Sequence, residues 1–308
     1  MALQSQYTET LTKVGLKYQQ DPMNFKAAKI FPNCPVRLIS SSFPTYDKGY
    51  WMKNQAAVRK PGTESAGGTH ARGTDSYSCE DVSYHEDVPN EYIDNDPAPL
   101  NPLRAATRRV MHVVSIFIEV DWCTRFFTSS VWTDASAPTT KWDAAANTML
   151  EDIDGYKQTL QTGTGYAANT AVASKKVFDK MKRQADVKDQ VKYTSSRNIS
   201  AELLASILEV DRFVVLTAVY DSAAFGATAS QGYIAGDHFA VFHCTNSPSL
   251  EEASAGYNFR WTGWGTDGFQ MKVKPQANEE AQRVEAHQYQ DMKQVAADLG
   301  VFVAAPLT

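Results

Sequence analysis

The sequence predicts an α+β fold in which one long helix organises an extended portion and a compact α/β portion. Three observations predict it. Apolar periodicity runs with its own start signal from Asn101 to Thr128. Two extended limbs flank a glycine-rich tip between Arg37 and Val88, and helix and strand patterns alternate from about residue 140 to 245. At 308 residues and 43% hydrophobic content, the chain can bury a sizeable core as one large domain or two smaller ones.

Taken in order, residues 1–30 hold one short periodic stretch at Leu11, Val14, Leu16 and Tyr18. Gly15 breaks it and Asp21-Pro22 follows it, so the segment reads as an arm. In Ile30–Val36, Pro32 and Pro35 bracket Cys34, which predicts an extended piece without the donors a central strand needs.

From Arg37 to Val88 the outgoing limb carries Leu38, Phe43, Tyr46, Tyr50 and Trp51. The tip passes Gly62, Gly67, Gly68 and Gly73, and the returning limb alternates at Tyr77, Cys79, Val82, Tyr84, Glu86 and Val88. A hairpin this long has too little apolar surface to stand alone in water. The rest of the chain has little surface to spare, so a neighbouring subunit is the expected support. The acidic, proline-rich link that follows holds Glu86, Asp87, Glu91, Asp94 and Asp96. These suit turns and the approach to a helix N-terminus better than a metal or acid–base cluster.

Asn101 as a cap and Pro102 at the first helical position start the long helix. One stripe falls on Leu103, Ala106, Val110, Val113, Phe117, Val120 and Phe127, widened by Met111, Val114, Ile118 and Trp122. The polar line is narrow: Arg104, Arg108, His112, Ser115 and Glu119. At 1.5 Å per residue this spine is roughly 40 Å long, and other elements must cover most of it.

A second helix is expected from about Lys141 to Gln161, with Trp142, Ala146, Met149, Ile153, Tyr156 and Leu160 on one face and Gly163 and Gly165 ending it. A short strand follows at ANTAVAS. Ser174 caps a short helix, Asp186–Tyr193 gives another turn or two, and Ser200 caps a helix bearing Leu203, Leu204, Ile207 and Leu208. Arg212–Tyr220 and Gly232–Cys244 read as buried strands. From Ser247 strands and turns resume, then a charged segment, NEEAQRVEAHQYQDMK, and a last strand at Leu299–Ala304.

Motifs that carry chemistry are missing. GTGYAA at Gly163–Ala168 fits a loose dinucleotide pattern, but it follows a helix and opens a strand, the reverse of what phosphate binding needs. On a strand His238 and Cys244 would lie roughly 20 Å apart and His243 would point the other way, so core or surface histidines are the better reading. Tyr257, Phe259, Trp261, Trp264 and Phe269, with Arg260 and Lys272 between them, suit a sheet packed on the spine better than a nucleic-acid platform. A net charge of -5 argues against a broad nucleic-acid-gripping face. Cys34, Cys79, Cys123 and Cys244 form no CxxC pair and suit reduced thiols. No apolar run reaches the 18 or so residues of a membrane span, and no signal segment appears at MALQSQYTET.

The order of parts and several local words resemble the major capsid proteins of tailed bacteriophages, with the Hong Kong 97-type (HK97-like) fold. The words are IFPNCPV, YDKGYW, RKPGTES, YSCEDVSYHEDVP, Asp96-Pro97-Ala98-Pro99-Leu100-Asn101-Pro102, ELLASILEVDRFVV and SPSLEEASAGYNFRW. They span nearly the whole chain after residue 25; each is weakly specific, and their order is the signal.

The resemblance implies an N-terminal arm at 1–36 and an extended E-loop at 37–89. A peripheral (P) domain with the spine would cover 90–139 and an axial (A) domain 140–245. Residues 246–290 would return to the P domain, and a C-terminal strand in 291–308 would rejoin the A domain. It further implies a non-enzymatic shell subunit without cofactor or metal. Such subunits would form pentamers and hexamers that close into an icosahedron around double-stranded DNA held without sequence specificity. Portal and decoration proteins are implied partners, with no membrane, and the shell would form in the host cytoplasm before becoming the virion capsid. Because only about 25 residues of arm follow Met1, a separate scaffolding protein is expected. Arg59, Lys60, Glu64 and Arg72 are the expected E-loop contacts between subunits, and no covalent crosslink is expected. Two alternatives stay open: an encapsulin-like compartment shell of the same fold, and an α/β enzyme with an unrecognised cleft.

Overall fold

A computed structural model describes residues 20–308, apart from residues 47, 70–71, 96–100, 136, 145–147, 193–198, 225, 249–251 and 264–266. The arm's periodic stretch, the residues 96–100 of the link, Ala146 and Trp264 lie outside the described residues, as do the side chains of Tyr50 and Trp51.

In chain order the first half forms β1 (Asn33–Val36), β2 (Ser40–Tyr46), α1 (Lys48–Trp51), β3 (Arg72–Ser78), β4 (Glu80–Pro89), α2 (Asn90–Asn95) and the spine α3 (Pro102–Phe126). Then come β5 (Thr133–Asp134), α4 (Met149–Thr164), β6 (Thr170–Ser174), α5 (Lys175–Met181), α6 (Ala185–Val191), α7 (Ala201–Ile207) and β7 (Arg212–Leu216). The remainder is β8 (Val219–Asp221), β9 (Gln231–Tyr233), β10 (Phe239–Phe242), β11 (Gly256–Trp261), β12 (Phe269–Gln276), β13 (Ala281–Gln294) and β14 (Gly300–Val303).

The first sheet is built on β13. One edge of this strand pairs antiparallel with β4, and the other pairs first with β12 and then with β11, to which β1 adds in parallel. Its inner face, Val284 and Ala286 with Val88 of β4, receives Ala106, Val110 and Val114 of the spine. The Asn101 carboxamide accepts from the Arg104 amide at 2.9 Å, the cap the sequence signals.

The second sheet has the order β5-β14-β10-β6-β7. Strands β6, β10 and β14 are buried on both faces, which explains their mostly apolar sequences. Ala171, Ala173, Phe239, Val241, Val301 and Val303 face a core roofed by helices α4 to α7. The alternate residues Val172, Ala240, Phe242 and Phe302 face the C-terminal end of the spine, where Trp122 and Phe126 meet Phe31 and Trp132. The spine therefore touches both sheets, and a strap of chain at Gln20–Phe31 crosses it there.

Several expectations are corrected. The spine buries Ala106, Val110, Val114, Trp122, Cys123 and Phe126, so the covered face is shifted from the expected stripe, and Phe117 is 53% exposed. Glu119, assigned to the polar line, is buried, because strap amides reach it. Helix α4 begins at Met149, with a turn at residues 142–144 before it; Trp142 is buried there without belonging to the helix. Arg212–Tyr220 divides into β7 and β8, and Gly232–Cys244 into β9 and β10 around Gly236, whose φ of +58° turns the chain. The acidic link contains α2. The charged segment after Ala277 is the 14-residue strand β13, and β4 of the returning limb is a member of the first sheet.

Candidate subunit interface

The antiparallel ribbon β2–β3, from Ser40 opposite Ser78 to Tyr46 opposite Arg72, is the paired part of the extended limbs. Its root is fastened by aromatic packing. Tyr77 stacks on Phe259 of β11 with centroids 4.6 Å apart and planes 13° from parallel, and Phe43 approaches the same ring at 5.5 Å. Lys293 of β13 bonds Asp75 at 2.6 Å and also reaches the Ser76 carbonyl, while Asp291 accepts from the Ser78 amide at 3.0 Å. Burial pushes the Asp75 carboxyl up, but the Lys293 bond, the Ser76 amide and the Lys293 charge together outweigh it and leave the group below the ordinary range. Higher up, Gly73 stands opposite Thr45, and a Cβ there would lie 2.4 Å from the threonine hydroxyl oxygen. Only glycine allows that approach.

Beyond the ribbon, every residue from Met52 to Thr69 is exposed, Val58 to 99%. The tip turns at Lys60-Pro61-Gly62-Thr63, where the Thr63 amide donates to the Lys60 carbonyl at 3.2 Å and Gly62 has φ +81°. Proline followed by a positive-φ glycine is the composition of a type II turn. Arg59, Lys60 and Glu64 sit on this tip, and none joins the ion pairs among the described residues. Arg72 lies apart from them at the ribbon's upper end, its guanidinium 5.5 Å from the Tyr46 ring centre.

A groove of about 630 Å³, absent from the expectations above, lies between β4, β13 and the spine. Val113 and Phe117 provide its apolar floor, and Glu80, Asp81, Asp121 and Asp291 outnumber Arg125 in its lining. Arg125 is engaged within the chain, by Asp121 at 3.3 Å, Asp291 at 3.7 Å and the Met292 carbonyl at 2.9 Å. The alternation of Val284, Ala286, Gln288, Gln290 and Met292 was the available signal for β13 and hence for this groove.

The other candidate ligands are dispersed. His238 packs between Phe127 and Phe302, burial lowers its pKa, and it accepts from the Ala305 amide at 3.2 Å. His243 contacts the Ala167 carbonyl at 2.7 Å, and burial pushes the Cys244 thiol up to about 11. Among the described residues no cluster of His, Cys, Asp and Glu could hold a metal ion, and no helix is long and apolar enough to cross a membrane. All four cysteines are free thiols.

This architecture is similar to known structures along almost its full length. A phage-related protein of Bordetella bronchiseptica RB50 superposes with a TM-score of 0.71 at 18% identity, covering 94% of this chain and 95% of that one. The capsid protein of cyanophage P-SCSP1u gives 0.57 at 10% identity, covering 91% and 87%. The chain has the Hong Kong 97-type capsid fold. Residues 132–242 match the family model described as phage major capsid protein E, a stretch that runs from β5 through β10. The same capsid fold relates the chain to an encapsulin of Synechococcus elongatus PCC 7942, with a TM-score of 0.52 at 8% identity and coverage of 91% and 86%. Among curated proteins no sequence matches the chain. The partial family match and the fold similarity both point toward capsid-type shell proteins as what this chain resembles.

Proposed function

We propose that this chain is a major capsid protein whose copies assemble through pentamers and hexamers into an icosahedral shell around phage double-stranded DNA. The observation that carries the reading is the E-loop, whose root is locked to its own first sheet while the tip from Met52 to Thr69 has no cover. In a shell the tip lies on a neighbour, and Arg59, Lys60, Glu64 and Arg72 meet opposite charges there. Glu80 in the groove, which joins none of the ion pairs among the described residues, supports this by offering Arg59 or Lys60 a partner, whereas Asp81, Asp121 and Asp291 are engaged by His287 and Arg125. Each exposed pair contributes about 0.2–1 kcal/mol, so repetition around the shell supplies the stability. The working partners are further copies of this chain, a separate scaffolding protein, a portal, a decoration protein, and DNA contacted without sequence specificity. Assembly takes place in the host cytoplasm, and the P and A domains divide as the resemblance implies.

The encapsulin similarity favours one other reading, a compartment that encloses protein cargo. The family match to a phage capsid protein supports the phage reading over it. Purified particles opened after nuclease treatment distinguish the two. Protected double-stranded DNA is the expected content, and an enzyme cargo without nucleic acid would replace the phage reading by the compartment reading.

A further inference from the structure

The strap Gln20–Phe31 is held at four places. The Gln20 side chain pairs with both backbone groups of Val219, and Asn24 accepts from Thr217 at 3.1 Å. The amides of Lys26 and Ala27 donate to Glu119 Oε2 at 3.0 and 2.9 Å, and Arg212 donates to the carbonyls of Lys29 and Ile30 at 3.2 and 2.6 Å. Ala27, Ile30 and Phe31 are buried against Trp122 and Cys123 of the spine.

Glu119 is the unusual member. It is 1% exposed, one oxygen accepts both strap amides, and the other oxygen is buried without a partner. The ion pairs among the described residues leave it out. The titratable groups that face it are the Lys26 ammonium from the strap, which favours the charged form, and the Cys123 thiol from the spine. Otherwise its surroundings are the apolar cluster of Ala27, Ile30 and Trp122. A carboxylate placed there carries a desolvation cost that two amide bonds offset only in part.

We propose that Glu119 is a proton-operated latch: with a proton on Oε1 it fastens the strap to the spine, and on losing that proton it loosens the strap. The proton is exchanged with solvent, and Oε2 remains an acceptor for the two amides in the protonated form. Burial, the dominant influence, raises the carboxyl from an ordinary 4.5 to about 7. Between these values the open strap exposes an ionised group and the closed strap holds a neutral one, so opening releases a proton. The opening equilibrium therefore rises with pH by up to about tenfold per unit in that window and levels above it, where both states are ionised. The latch belongs to the single subunit and stands independently of what the shell contains.

The test is amide hydrogen exchange by mass spectrometry on the full chain, held in one assembly state, with rates corrected for intrinsic chemical exchange. Peptides covering residues 20–31 are expected to open on the order of tenfold more per pH unit between about pH 5 and 7, then level off. Glu119→Gln, neutral at every pH, is expected to give a flat profile. A flat wild-type profile, or a slope that persists in Glu119→Gln, overturns the proposal. Should that variant not fold, the wild-type curve still decides. Strands β6 and β10 serve as internal reference, and a rise shared equally by them also overturns the latch.

Discussion

Replacing Phe259 by alanine isolates what fastens the E-loop to its own subunit. The ring is buried and touches Tyr77 at 4.6 Å, Phe43 at 5.5 Å and Tyr257 at 6.1 Å between centroids. Deleting a buried phenylalanine costs about 3–5 kcal/mol in all. Two of its three ring partners lie on the ribbon, and aromatic pairs contribute about 0.5–1.5 kcal/mol each beyond area burial, so roughly 1–3 kcal/mol of the loss falls on the ribbon root. The bonds of Lys293 and Asp291 remain, so the ribbon is loosened and not released. Hydrogen exchange is the assay: amides of β2 and β3 are expected to open about 5- to 150-fold more often, at 1.4 kcal/mol per factor of ten, with β6 and β10 little changed. Unchanged protection of the ribbon in a folded Phe259→Ala variant would refute the aromatic anchor.

Gly73→Ala forces a methyl to 2.4 Å from the Thr45 hydroxyl and is expected to cost about 1–3 kcal/mol; Thr45→Ala in the same chain restores most of it, as measured by denaturant midpoints. Asn101→Ala removes the cap of the spine and lowers stability by about 0.5–2 kcal/mol in the same measurement, whereas Asn101→Asp keeps it near wild type. Arg283 bonds Asp87 through two nitrogens at 2.7 and 2.8 Å, and that pairing holds the Asp87 carboxyl below its ordinary 3.8. The contribution is full above the ordinary value and is lost as pH falls through the lowered one. The melting-temperature gap between wild type and Arg283→Gln should accordingly stay constant from about pH 7 to 5 and close in stronger acid; a gap unaffected by acid would contradict the pairing.

The spine, its cap and the strands β6, β7, β10 and β14 of the second sheet were legible because local signals and burial agree there, whereas the two-residue edge strand β5 was not. Asn101-Pro102 is a helix-start signal carried by two adjacent residues, and β6, β10 and β14 are mostly apolar because both of their faces are covered. The phase of the spine was not legible, since apolar residues lie on more than one of its faces and only the packing of β4, β13, the second sheet and the strap decides which is covered. Glu119 falls on the wrong side for a related reason: one of its oxygens accepts backbone amides 92 and 93 residues away in sequence, which no local pattern records. Strand β13 hid behind its composition, as Glu285, His287 and Asp291 dominate one face while Gln288 and Gln290 occupy buried positions on the other. Of the expected contact residues, the structure groups Arg59, Lys60 and Glu64 on one exposed tip and sets Arg72 apart on the ribbon. The groove arises only when β4, β13 and the spine come together, so the alternation in β13 hints at one of its walls and no single segment specifies the whole.

Cryo-electron microscopy of the purified, assembled protein decides whether the exposed tip is a contact between subunits. Closed shells with five- and six-fold rings are expected, in which residues 52–69 of each copy lie against a neighbouring subunit. A uniform monomer under every assembly condition, or shells in which the tip still faces solvent, would contradict that contact.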